Sequence, residues 1–172
     1  MSINGKILQE TLDRASKENG GLTSLGMNFY KRLFEKYPQV KPLFKTPPEE
    51  QHKKLVASIG AIVSGVNNLD ILVPYLRAMG IRHLKYKTEN AHYAAVGENL
   101  VAVLGDHLSK EGQWTEEMKK AWEDALKVVS DVMIEGANNP EKYKDELAKA
   151  GYEADGFKLK DSTPWIMAKS AT

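Results

Sequence analysis

The stretch LVPYLRAMGIRHLKY, residues 72–86, decides the fold. Leu72, Leu76, Met79 and His83 recur at helical spacing, and Leu69 begins the same stripe. Such a repeat lays its members on one face of an α-helix. Pro74 sits near the helix start, where a missing N–H costs least. The stripe ends in a histidine, so this helix carries an imidazole into an apolar interior. A buried imidazole needs a partner for its nitrogens. Two readings stand side by side: a core histidine bonded to a backbone carbonyl, or a metal ligand. No second His, Asp or Glu at helical spacing shares the stripe, so a zinc site is not completed.

Working outward, the chain reads as helices throughout. Ile7, Leu8, Leu12 and Ala15 predict a helix over about 4–18, ended by Asn19-Gly20-Gly21. Leu22, Leu25, Phe29 and Leu33 predict another over about 22–36, and Pro38 starts a short helical turn leading to Leu43-Phe44. Thr46-Pro47-Pro48-Glu49 has the form of a capping box with proline at the first helical position. The helix it opens carries Leu55, Ile59, Ile62, Val63 and Val66, and Asn67-Asn68 breaks it. After residue 86, Thr88 is a cap for a helix with Tyr93, Val96, Leu100, Val103 and His107 on one side. Thr115-Glu116-Glu117 suits a helix start, since carboxylates favour the positive end of the helix dipole. Met118, Trp122, Ala125, Val129 and Met133 line the helix that follows, with Gly136 as its expected stop. Six or seven helices with short connections make an all-α domain. Beyond it, Asn139-Pro140 can start a short helix with Tyr143 and Leu147 inward and Gly151 at its end. The rest is irregular, with one apolar patch at Trp165-Ile166-Met167.

Composition narrows the function. The 172 residues are 42% hydrophobic, enough for a core. There is no cysteine, which removes disulfides, thiolate catalysis and cysteine-bound metal centres. A net charge of +1 gives no electrostatic reason to expect nucleic acid or anionic membrane. The start MSINGKILQETLDR lacks the apolar run of a signal peptide, and no stretch approaches the roughly 18 apolar residues of a membrane span. A cytoplasmic protein is expected. A single inward histidine facing a large apolar slot is what a haem iron requires.

The order of these segments resembles the globin family over roughly residues 4–137. LGMNFYKRLFEKYPQVKPLF (25–44) resembles the second helix and first corner of globins, with Phe44 as the corner phenylalanine that stacks on the haem. Residues 72–86 resemble the proximal helix, with His83 as the iron ligand. AHYAAVGENLVAVL (91–104) and TEEMKKAWEDAL (115–126) resemble the last two long helices. The likeness is nearest to bacterial single-domain globins and the globin half of flavohaemoglobins, then to neuroglobin-like proteins. It implies a globin domain at 1–137, a C-terminal extension at 138–172 and haem b as cofactor.

The resemblance also implies a pocket. Tyr30, Gln51 and Leu55 match the family's distal trio in type and interval. Tyr30 and Gln51 would donate hydrogen bonds to bound dioxygen and act as the catalytic pair if the protein is an enzyme. His52 competes with Gln51, because successive helical residues diverge by about 100° and both cannot face the iron. In the alternative reading His52 is a second axial ligand of a six-coordinate haem protein for redox signalling or oxygen sensing. Leu55, Val96 and Val129 would keep the pocket dry, Met79 would line the cofactor site, Tyr93 would lie under His83, and Lys54 would reach a haem propionate. A glutamate on the last helix joins that tyrosine in the flavohaemoglobin-like branch and hardens the ligand. Here the nearest carboxylate, Glu135, falls about two residues early, which weakens the case for peroxidase-like activation. His92 and His107 read as surface or helix-face residues.

The expected ligands are dioxygen, nitric oxide and carbon monoxide. The expected activities are gas binding and, with an external reductase, nitric oxide dioxygenation. The residues after 137 are too few for an FAD- or NAD-binding segment.

Overall fold

A computed structural model of the chain describes residues 3–44, 48–84 and 89–152. Seven α-helices and one 3-10 helix form among them: α1 (Gly5–Lys17), α2 (Gly21–Lys36), the 3-10 helix (Pro38–Leu43), α3 (Pro48–Gly65), α4 (Leu69–Leu84), α5 (Asn90–His107), α6 (Glu116–Asn138) and α7 (Lys144–Lys149). The all-α architecture is the one the apolar stripes predict. None of these helices is long and apolar enough to cross a membrane.

The helix ends follow local chemistry. Asn4 accepts from the Ile7 amide at 3.1 Å and opens α1. Thr115 accepts from the Met118 amide at 3.1 Å and opens α6, with Glu116 and Glu117 in the first turn. Thr46 and Thr88, expected as caps, lie outside the described residues, as does the apolar patch at 165–167. Glu89 caps α5 instead: its side chain takes a first-turn amide, while its own N–H donates to His92 Nδ1 at 3.0 Å. His92 is therefore a capping residue.

The stripes meet in one continuous core that includes Phe29, Leu33, Leu55, Leu76, Met79, Leu100, Leu104 and Val129. Each fully buried side chain of this size contributes about 1.5–3 kcal/mol. His107, read as a surface or helix-face residue, is instead buried. Its Nε2 bonds the Ala15 carbonyl at 2.8 Å, and Asn19 Nδ2 donates to the His107 carbonyl at 2.7 Å. It ties α5 to the end of α1, so its polar ring is satisfied inside the fold.

Where α4 crosses α6, the backbones touch. A Cβ on Gly80 would stand 1.9 Å from the Met133 carbonyl oxygen, and one on Gly136 would stand 2.7 Å from that of Arg77. Gly136 therefore does not stop α6, which continues to Asn138. It is a crossing glycine, required because no side chain fits between the helices. After α6 the chain turns back, and Tyr143 and Leu147 pack on Ala78 and Ile81 of α4.

Candidate functional site

The inward end of α4 carries His83, which has no exposed surface. Its Nδ1 lies 2.6 Å from the Met79 carbonyl oxygen, one turn earlier. A carbonyl only accepts, so Nδ1 bears the proton and Nε2 is the nitrogen with the lone pair. Burial pushes the imidazole pKa down to about 4; the Met79 bond opposes this, and the charge on Arg82 adds to it. The ring is thus neutral at pH 7, the form that ligates a metal. Both readings of His83 are compatible: one nitrogen holds the carbonyl and the other keeps its acceptor character. The Tyr93 ring lies 6.3 Å from the His83 ring at 40°, and burial raises its hydroxyl pKa. Met79 is fully buried beside them. Tyr93, Val96 and Val129 line a small apolar cavity between α5 and α6.

A second cluster joins α2 to α3. Gln51 Nε2 donates to the Tyr30 hydroxyl oxygen at 3.1 Å, and both side chains are buried. Burial raises the Tyr30 pKa and the Gln51 bond partly offsets it, so the phenol stays protonated. The Tyr30 ring packs edge-on against Phe29 at 5.0 Å and against Phe44 at 5.4 Å. Phe44 is half-buried at the end of the corner. Leu55, one turn after Gln51, has no exposed surface. Gln51 Oε1 is buried with no partner among the described residues.

His52 is buried too, but elsewhere. A Cβ on Gly26 would come 2.8 Å from His52 Cβ, so this residue occupies the α2–α3 crossing. Gln51, not His52, pairs with Tyr30. Lys54 is half-buried on α3, and its carbonyl accepts from Ser58 at 2.9 Å.

Tyr30, Gln51, Phe44 and Leu55 thus gather on one side, and Met79, His83 and Tyr93 on another. Tyr30, Leu55, Met79, Tyr93, Val96 and Val129 belong to the same core. No group of three or more His, Asp or Glu side chains among the described residues could hold a bare metal ion. Two features escaped sequence reasoning. Arg82 is fully buried beside His83, although an arginine on a helix ordinarily reads as solvated. Glu135 accepts a hydrogen bond from Tyr143, whose place beside it depends on how the chain folds back.

The globin family model matches residues 27–133. An uncharacterized globin-like protein of Aquifex aeolicus is 32% identical over 118 residues, covering 69% of this chain and 81% of that protein. The flavohemoprotein of Bacillus subtilis is 27% identical over 144 residues, which is 82% of this chain but 34% of that protein. The chain therefore spans about a third of that relative's length. Among solved structures, a bacterial globin from Campylobacter jejuni superposes with a TM-score of 0.68 at 26% identity, covering 80% of this chain and 96% of that one. The helical order, the inward histidine and these matches lead to one conclusion: the chain belongs to the globin family.

Proposed function

We propose that this globin holds haem b with His83 as the iron ligand and binds dioxygen and other diatomic gases against Tyr30 and Gln51. The hydrogen bond between Gln51 and Tyr30 inside the core carries the reading. It places two donors side by side, away from solvent. The remaining donor set fits the group. His83 supplies a neutral imidazole oriented by Met79, Phe44 supplies a half-buried ring, and the buried Gln51 oxygen without a partner marks a polar site in apolar surroundings. Buried polar atoms are rarely left unpaired in a finished site.

When bound, the haem supplies an iron that takes a diatomic ligand. The chain's own residues decide how tightly that ligand is kept. The Gln51 amide donates to the Tyr30 oxygen, so an amide and a phenol, both donors by type, meet at one buried place. A donor facing negative charge contributes about 1.5–3 kcal/mol. Retention therefore lengthens by about ten- to a hundred-fold, at 1.4 kcal/mol per tenfold. Slow release suits storage, sensing or chemistry on the gas. Leu55, Val96 and Val129 exclude water. Lys54, half-buried at the edge of α3, is the residue assigned to a propionate. Residues 1–137 form the globin domain in this reading and 138–172 its extension.

Spectrophotometric titration of the reduced protein tests the function. Reversible saturation by dioxygen and carbon monoxide is expected. Oxidation without a gas-bound spectrum contradicts it.

A second reading has support in the Tyr30–Gln51 pair and in the flavohemoprotein relatives: conversion of nitric oxide to nitrate. Nitric oxide, dioxygen and one electron give nitrate, so a reductase must deliver that electron. Rapid mixing of the oxygenated protein with nitric oxide should yield stoichiometric nitrate and ferric protein. No nitrate removes this activity and leaves gas binding intact. Glu135 accepts from Tyr143 and falls about two residues early of the family's carboxylate position, which weakens the case for peroxidase-like chemistry.

A further inference from the structure

We infer that the α7 segment is a clamp on the proximal helix, with Arg77 and Glu146 as positioning residues for His83. The inference rests on reading His83 as the iron ligand. Arg77 Nη1 donates to both Glu146 carboxylate oxygens, at 2.6 and 2.8 Å. The same guanidinium lies over the Tyr143 ring, 4.0 Å from its centroid. Tyr143 in turn donates to Glu135 of α6. One arginine of α4 is thereby gripped by a carboxylate and an aromatic face from the returning segment.

The grip reaches His83 through the backbone. Arg77, Ala78 and Ile81 face α7, while Gly80 rests on the Met133 carbonyl of α6. Between these contacts stands Met79, whose carbonyl oxygen orients the imidazole. The peptide unit joining Met79 to Gly80 is therefore fixed from two sides, by α6 and by α7. Pro74, expected near the helix start, stands inside α4 instead, where its missing N–H removes one bond from the helix ladder. The Arg77 and Glu146 side chains are 19% and 37% exposed, so an ordinary ion pair here would contribute little. The stacking of the guanidinium on the Tyr143 ring adds direction as well as energy. Glu135 of α6 is drawn into the same network through Tyr143.

The test uses full-length Glu146→Ala, Tyr143→Phe and Arg77→Lys. Amide hydrogen exchange of the haem-free protein is read first. In Glu146→Ala, the amides of 79–83 should exchange about three- to tenfold faster, with α2 and α3 unchanged. Arg77→Lys keeps the charge, loses the planar guanidinium over Tyr143 and should fall between wild type and Glu146→Ala. It also serves if Glu146→Ala fails to fold. Tyr143→Phe keeps the ring beneath Arg77 and should stay within twofold of wild type. The iron–histidine stretching band of the reduced, gas-free holoprotein is read second. It should shift or broaden in Glu146→Ala and stay in place in Tyr143→Phe, which loss of stability alone would not produce. Faster exchange confined to α7, with the 79–83 amides and the band unmoved, overturns the clamp. If the wild type takes up no haem, the haem reading fails, while the exchange experiment still decides whether α7 holds α4.

Discussion

Replacing Tyr30 with phenylalanine removes one oxygen and keeps the ring. The ring's contacts with Phe29 and Phe44, at 5.0 and 5.4 Å, should survive, so the fold is little disturbed. The hydroxyl is buried and accepts from Gln51 at 3.1 Å. Its loss has two consequences. The donor to a negatively charged gas ligand disappears, which costs about 1.5–3 kcal/mol. The Gln51 amide, released from the phenol, turns toward the ligand and recovers part of this. Dioxygen should therefore dissociate about ten- to thirtyfold faster in Tyr30→Phe, below the full hundredfold that a lone donor can reach. Gln51→Leu should have a smaller effect on its own, because the tyrosine proton remains. The double variant should be faster than the product of the two single effects, since neither donor can then substitute for the other. The assay is stopped-flow replacement of dioxygen by carbon monoxide on the reduced holoprotein. A Tyr30→Phe rate within twofold of wild type, with normal pigment content, refutes the donor role. Strictly multiplicative effects refute the coupling inferred from the hydrogen bond.

Other expectations follow from the same geometry. Because burial holds the His83 pKa at about 4 against its usual 6.5, the unfolded haem-free chain binds the extra proton first as pH falls. Stability should be full above about pH 6.5, decline by up to about 3 kcal/mol toward pH 4 and level off below; urea unfolding of wild type and His83→Gln across this range checks it, and parallel curves count against it. Gly80→Ala forces a methyl onto the Met133 carbonyl and should destabilise the protein by about 1–3 kcal/mol or more in denaturant titration, whereas a change below about 0.5 kcal/mol means the helices do not cross this closely. His52→Ala should leave the ferrous gas-free spectrum unchanged, because that side chain springs from the α2–α3 crossing; disappearance of sharp low-spin bands in the variant would make His52 an axial ligand.

The helices were legible because each buries one stripe, and a stripe leaves a period in the sequence. Leu72, Leu76, Met79 and His83 mark α4 this way and are buried, whereas Leu69, read as the start of the same stripe, is 51% exposed at the helix end. Thr115 announced the start of α6 through its hydroxyl and the two glutamates behind it. The pairing of Tyr30 with Gln51 was legible only by resemblance, since nothing local links residues so far apart on two helices. What stayed hidden depends on long-range return of the chain. Arg77 reads as a solvated residue until Glu146 and Tyr143 fold back onto it. His107 reads as a helix-face residue until the end of α1 offers it the Ala15 carbonyl. Gly136 shows why one letter misleads: a glycine that ends a helix and a glycine that lets two helices touch look alike in sequence.

The most direct measurement is the absorption spectrum of the wild type and of His83→Ala, each mixed with haemin, reduced, and then exposed to carbon monoxide. Wild type should take up one haem per chain with the spectrum of a histidine-ligated iron, and His83→Ala should lose the pigment or hold it with a shifted spectrum that added imidazole restores. Full pigment with an unchanged spectrum in His83→Ala, or a wild type that takes up no haem, contradicts the account.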